Sequence, residues 1–182
     1  MEIIRRENAI NIPNLLTVLR IGLLPIVVYF FCQGDLLGSL AFYLAAMLTD
    51  AVDGFAARRL NQVTVLGMLL DPIADKLFEL TLLLLFAFAG CISAWVAVLV
   101  LFKEIVLIAG SAAALHSGFV VRALPIGKIS TLVFVFYVIA QLLSFRVVAD
   151  ILTYVFVLLS LFSLTCYGIK WFLNMHVKKA NA

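Results

Sequence analysis

Residues 50–75 read DAVDGFAARRLNQVTVLGMLLDPIAD and hold four of the chain's ten acidic residues, Asp50, Asp53, Asp71 and Asp75. The flanks are nearly free of charge. LLGSLAFYLAAMLT runs into Asp50, and LFELTLLLLFAFAG, with Glu79 as its one ionisable group, leads away from Lys76. Two apolar segments therefore meet at a charged turn around Arg58 and Arg59, which reads as a hairpin of two helices.

The rest of the chain sets the solvent for that hairpin. Of 182 residues 65% are hydrophobic and 13% charged, and the mean hydropathy is +1.20. A water-soluble domain is about half apolar and about a quarter charged. The composition therefore predicts an integral membrane protein. About 20 apolar residues cross a bilayer, and six segments fit: residues 14–31, 36–57, 67–89, 93–115, 126–145 and 151–172. Turn residues separate several of them, as in Gln33-Gly34-Asp35, Gly90 and His116-Ser117-Gly118. The expected fold is all-α and polytopic, one membrane domain over residues 1–182 with six transmembrane helices. A short juxtamembrane helix is expected in the first residues, which are charged and precede a long apolar stretch without a small-residue cleavage site.

An even number of spans puts both termini on one side. Arg5, Arg6, Arg58, Arg59, Arg122, Lys128, Lys170, Lys178 and Lys179 fall on that side, and Arg146 falls opposite. The positive-inside rule makes the first side cytoplasmic. Cys32, Cys91 and Cys166 are scattered in apolar surroundings and read as packing or lipid-facing residues rather than disulfides or metal ligands. No nucleic-acid partner is expected.

Helix geometry relates the two acidic pairs. Asp50 and Asp53 are three apart and share one helical face, as do Asp71 and Asp75, four apart. Counting inward from the turn at a rise of 1.5 Å per residue, Asp50 and Asp75 both lie roughly 12 Å deep. Carboxylates converging at that depth repel each other and lose hydration unless neutralised. Two divalent cations are the simplest compensation, and carboxylate oxygens without nearby His or Cys suit Mg²⁺ or Mn²⁺. The plainer alternative is salt bridging to Arg58, Arg59 and Lys76. Gly54 and Gly67 leave room for a phosphate or nucleotide to approach the backbone.

The spacing Asp50-x2-Asp53-Gly54-x2-Ala57-Arg58-x8-Gly67-x3-Asp71-x3-Asp75 resembles the signature of the CDP-alcohol phosphotransferase family. A second stretch, Asn11-Ile-Pro13-Asn14-Leu-Leu-Thr17-Val-Leu-Arg20, is similar to the opening of that family's phosphatidylglycerophosphate synthases and cardiolipin synthases. The resemblance implies transfer of a phosphatidyl group from CDP-diacylglycerol to an alcohol, with release of CMP. By it, Asp50, Asp53, Asp71 and Asp75 would hold two Mg²⁺ or Mn²⁺ ions, and Asp75 would also take the acceptor's proton. Gly54, Arg58, Thr64 and Gly67 would meet the CDP-lipid, with Asn14 and Thr17 reaching it from the first span. It further implies a homodimer in a bacterial-type inner membrane, with the active site cytoplasmic.

The acceptor depends on other cations. Glycerol-3-phosphate brings a second phosphate, for which Lys103, Arg122 and Lys128 are the candidates. A lysine in the middle of a span is costly and therefore suggests function. Otherwise Lys103 pairs with Glu104 or Glu79, while Arg122 and Lys128 mark the cytoplasmic side. Arg20 has three readings: structural, snorkelling, or paired to an aspartate. Glycerol-3-phosphate is the expected acceptor and phosphatidylglycerol, giving cardiolipin, the alternative. A small cation transporter or channel is the alternative from another class; it would need polar residues across the outer half of the spans, where LAAML and LFELTLLLLFAFAG stand instead.

Overall fold

In the computed structural model the backbone is described for residues 12–59, 65–116 and 125–180, and side chains for residues 15–52, 72–110 and 126–169. All regular structure among these residues is helical: α1 (Ile12–Cys32), α2 (Leu36–Arg59), α3 (Val65–Phe88), α4 (Ala94–His116), α5 (Pro125–Leu142) and α6 (Arg146–Ala180). Each expected apolar segment is one of these helices. The largest departure is α6, which begins at Arg146 rather than Ile151 and runs for 35 residues, roughly 52 Å. The expected juxtamembrane helix lies outside the described residues.

Three of the connections are the same device. After α1, Gly34 takes φ +79°; its N–H donates to the Phe31 carbonyl and that of Asp35 to Phe30, both at 3.0 Å. Gly90 (φ +72°) and Ser144 (φ +59°) do likewise after α3 and α5. The N–H of Cys91 bonds Phe86 O at 2.8 Å, and that of Phe145 bonds Ala140 O at 2.9 Å. This left-handed closure satisfies the last helical carbonyls. Asp35 then starts α2, its Oδ1 accepting the Gly38 N–H at 2.8 Å. Ser144 explains the misplaced start of α6: no glycine marks that turn in the sequence.

The chain divides into two units, Met1–Leu85 and Phe86–Ala182, with the division inside α3. In the first, α1 packs on α2. Thr17, Arg20, Leu24 and Val27 form the buried stripe of α1, and Ser39, Tyr43 and Ala46 that of α2. Both stripes follow the three-and-four spacing of one helical face. Ser39 Oγ donates to the Val27 carbonyl at 3.1 Å, and the rings of Phe30 and Phe42 stack at 5.2 Å.

In the second unit, α4 and α5 both pack on α6. Ser130 and Ser160 hydroxyls lie 3.2 Å apart in the α5–α6 contact, and Phe134 meets Phe156 at 5.1 Å. The Phe86 ring stands edge-on to Tyr137 at 5.6 Å. Small and hydroxyl residues in helix contacts are the usual means of close packing in lipid.

The outward faces are apolar. Trp95, Val98, Phe102, Ile105 and Ile108 make one exposed stripe on α4, and Val147, Ile151, Tyr154 and Leu158 another on α6. Among the described residues, two stretches are long and apolar enough to cross a membrane, Leu15–Cys32 and Arg146–Ile169; Leu36–Val52 and Ile126–Leu142 are shorter apolar helices. Only 17% and 28% of the two long stretches are buried. The core helix of a water-soluble protein would be mostly buried, so the polarity is reversed: polar groups inside, large apolar side chains outside.

Candidate active site

Arg20 organises the site. It lies on the buried stripe of α1, one turn beyond Thr17, and its side chain is 0% exposed. An unpaired guanidinium there would be prohibitively costly. Its Nη2 lies 2.5 Å from Asp50 Oδ1, and its Nη1 lies 2.8 Å from Asp75 Oδ1. Asp50 follows Ser39, Tyr43 and Ala46 along the α2 stripe at the same spacing, which aims it at α1. Asp75 stands next to the buried Ala74 on α3. One guanidinium thus joins three helices.

The two aspartates, 25 positions apart in sequence, meet on a single cation, as expected of side chains at equal depth on neighbouring helices. Their side chains are 46% and 50% exposed, in contrast to the fully buried arginine. The two carboxylates outnumber the guanidinium and leave one net negative charge among the three groups. That charge and the hard oxygen donors fit a divalent cation. The side chains of Asp53 and Asp71 lie outside the described residues, and among the described residues no cluster of three or more metal-ligating side chains occurs.

Of the three readings of Arg20, the structure selects the ion pair. The plainer account of the aspartates had invoked Arg58, Arg59 and Lys76. Lys76 bonds Glu79 Oε2 at 2.6 Å, and the Arg58 and Arg59 side chains lie outside the described residues. The sequence offers an aspartate as one partner for Arg20; it could not show that Asp50 and Asp75 both converge there.

Thr17 is buried. The side chains of Asn14, Gly54, Arg58 and Gly67 lie outside the described residues, as do Thr64 and Arg122 altogether. In the second unit Lys103 Nζ bonds Glu104 Oε1 at 2.6 Å, each side chain only 6% exposed. The ammonium also sits 6.0 Å from the centroid of the Phe156 ring, within cation–π range. Glu104 is therefore the partner of Lys103 among the alternatives considered from sequence. Lys128 is exposed in the first turn of α5.

Comparison with known proteins adds the chemistry. Residues 10–165 match the CDP-alcohol phosphatidyltransferase family. The chain is 34% identical over 175 residues to a CDP-diacylglycerol–glycerol-3-phosphate 3-phosphatidyltransferase of Aquifex aeolicus, covering 89% of this chain and 96% of that protein. It is 34% identical over 137 residues to the protein of the same name from Bacillus subtilis, covering 66% and 70%. It is also 36% identical over 118 residues to a probable cardiolipin synthase (CMP-forming) of Drosophila melanogaster, covering 64% of this chain but only 34% of that protein.

Proposed function

This chain belongs to the CDP-alcohol phosphatidyltransferase family, and we propose that it transfers the phosphatidyl group of CDP-diacylglycerol to glycerol-3-phosphate. The products are phosphatidylglycerophosphate and CMP. The observation that carries this reading is the convergence of Asp50 and Asp75 on Arg20, within the region matching the family. The choice of acceptor follows the Aquifex aeolicus relative, which aligns along nearly its whole length. Phosphatidylglycerol is the second reading, favoured by the similarity to the probable cardiolipin synthase.

In this reading six helices cross a bacterial-type inner membrane as one domain over residues 1–182, in a homodimer with termini and site cytoplasmic. Asp50, Asp53, Asp71 and Asp75 would hold two Mg²⁺ or Mn²⁺ ions. Such ions stabilise negative charge on the attacking and leaving oxygens of a displacement at phosphorus. Gly54 and Gly67 let the nucleotide approach the backbone, with Asn14, Thr17, Arg58 and Thr64 binding the CDP end. Arg58 suits a forked contact to phosphate. Asp75 accepts the proton from the acceptor hydroxyl. The acceptor oxygen–phosphorus bond forms as the phosphorus–oxygen bond to CMP breaks.

Lys103, Arg122 and Lys128 would meet the acceptor's phosphate. Lys103 must exchange Glu104 for that ligand, whereas Lys128 already stands exposed. Purified protein given labelled CDP-diacylglycerol and a panel of alcohols is expected to release CMP fastest with glycerol-3-phosphate, and only with Mg²⁺ or Mn²⁺. Release with phosphatidylglycerol alone would move the reading to cardiolipin synthesis. No release with any alcohol would exclude the transferase.

A further inference from the structure

Arg20 has no role in the reaction as just described, yet it is the fully buried cation that Asp50 and Asp75 share. We propose that Arg20 is a positioning residue, holding Asp50 of α2 and Asp75 of α3 in register from their buried side. Their exposed sides are thereby presented to a common divalent ion. This role rests on the metal reading given under Proposed function.

Three observations favour it over the other uses of an arginine. Snorkelling requires the charged head to reach water, and this side chain has no exposure. Direct binding of a substrate phosphate requires an accessible fork, but Nη1 and Nη2 are each taken by a different carboxylate, at 2.8 and 2.5 Å. A helix brace alone would not need carboxylates that stay open to a ligand. Here two carboxylates from different helices are held by their Oδ1 atoms, while about half of each side chain stays exposed, 46% and 50%. Partners that orient ligating groups from behind are a general feature of metal sites, and losing one typically weakens metal binding about 10–100-fold. Arginine suits the task because its planar guanidinium offers nitrogens in fixed, divergent directions; lysine keeps the charge but concentrates its donors at one point.

The test measures Mn²⁺ binding by electron paramagnetic resonance on the purified, detergent-solubilised chain without lipid substrate, comparing wild type with Arg20→Lys and Asp50→Asn. Thermal unfolding of each is followed in parallel. Arg20→Lys is expected to fold and to bind Mn²⁺ about 10-fold or more weakly. The Mn²⁺ concentration for half-maximal turnover should rise by a similar factor, while the KM for CDP-diacylglycerol stays within about twofold of wild type. Unchanged Mn²⁺ affinity would overturn the proposal. So would a raised KM for CDP-diacylglycerol at wild-type Mn²⁺ affinity, which makes Arg20 a substrate contact, or an Arg20→Lys chain that does not fold, which makes it a structural brace. Wild-type protein that binds no Mn²⁺ would overturn the metal reading itself, and this role with it.

Discussion

Asp75 is expected to accept a proton, and that role can be separated from its ion pair. Asp75→Asn keeps the shape and one acceptor oxygen for the Arg20 Nη1 contact but lacks the basic carboxylate. Turnover should fall by roughly 10²–10⁴-fold, the usual worth of a positioned general base, with the protein still folded by thermal denaturation. Retention of full activity would remove Asp75 as the base. Lys103 poses the opposite problem, because its buried pair with Glu104 explains its presence without catalysis. Lys103→Met alone should destabilise the chain by on the order of 3 kcal/mol, since the buried Glu104 carboxylate loses its ion-pair partner. Adding Glu104→Gln should recover much of that loss. In the double variant the KM for glycerol-3-phosphate decides: a rise of about tenfold keeps Lys103 as an acceptor contact, and an unchanged value leaves the task to Arg122 and Lys128. The aspartates could be read from sequence because carboxylates at helical spacing in an apolar chain demand a compensating partner. The partner itself could not be read, because pairing across 30 and 55 positions is fixed only when α1 docks.

Helices were legible because each long apolar run was read as a membrane span, and in lipid a backbone has no partners but its own. Their ends were legible where glycine marked the left-handed turn, at Gly34 and Gly90, and not at Ser144, where a residue with a Cβ takes φ +59°. Relief of that backbone cost makes Ser144→Gly a stabilising change of roughly 0.5–1 kcal/mol. Gly38 behaves the other way. A Cβ there would come within 2.5 Å of Asp35 Oδ2 and 2.7 Å of Phe30 Cδ1, which breaks either the cap or the ring packing. Gly38→Ala should therefore cost about 1 kcal/mol, the usual value of a helix cap. Thermal unfolding in detergent checks both signs, and a stabilised Gly38→Ala would mean that the Asp35 cap carries no weight.

At the scale of the whole molecule, apolar periodicity could not say which side of each helix faces inward, because large apolar residues cover the outward faces as well. The inward sides are marked by Thr17, Arg20, Ser39, Glu79, Lys103, Glu104, Ser130, Ser160 and Ser163, all buried. The six-span reading extends this pattern to a membrane and puts Cys32, exposed at the end of α1, on the face opposite the basic residues. A membrane-impermeant maleimide should then label Cys32 in intact spheroplasts, whereas Asn181→Cys should be labelled only after permeabilisation. The reverse order would invert the topology, and equal access would break the even span count. Cys91, in the turn after α3, supplies a pH test. Burial pushes its thiol above the ordinary range, with the Gln141 hydrogen bond and the Arg146 charge pulling weakly the other way. Alkylation requires the thiolate. Labelling of Cys91 in the folded protein should therefore be slow near neutrality, and should reach half its limiting rate at a higher pH than for the same cysteine unfolded in SDS. A half-point at or below the unfolded value would show that the turn leaves the thiol solvated.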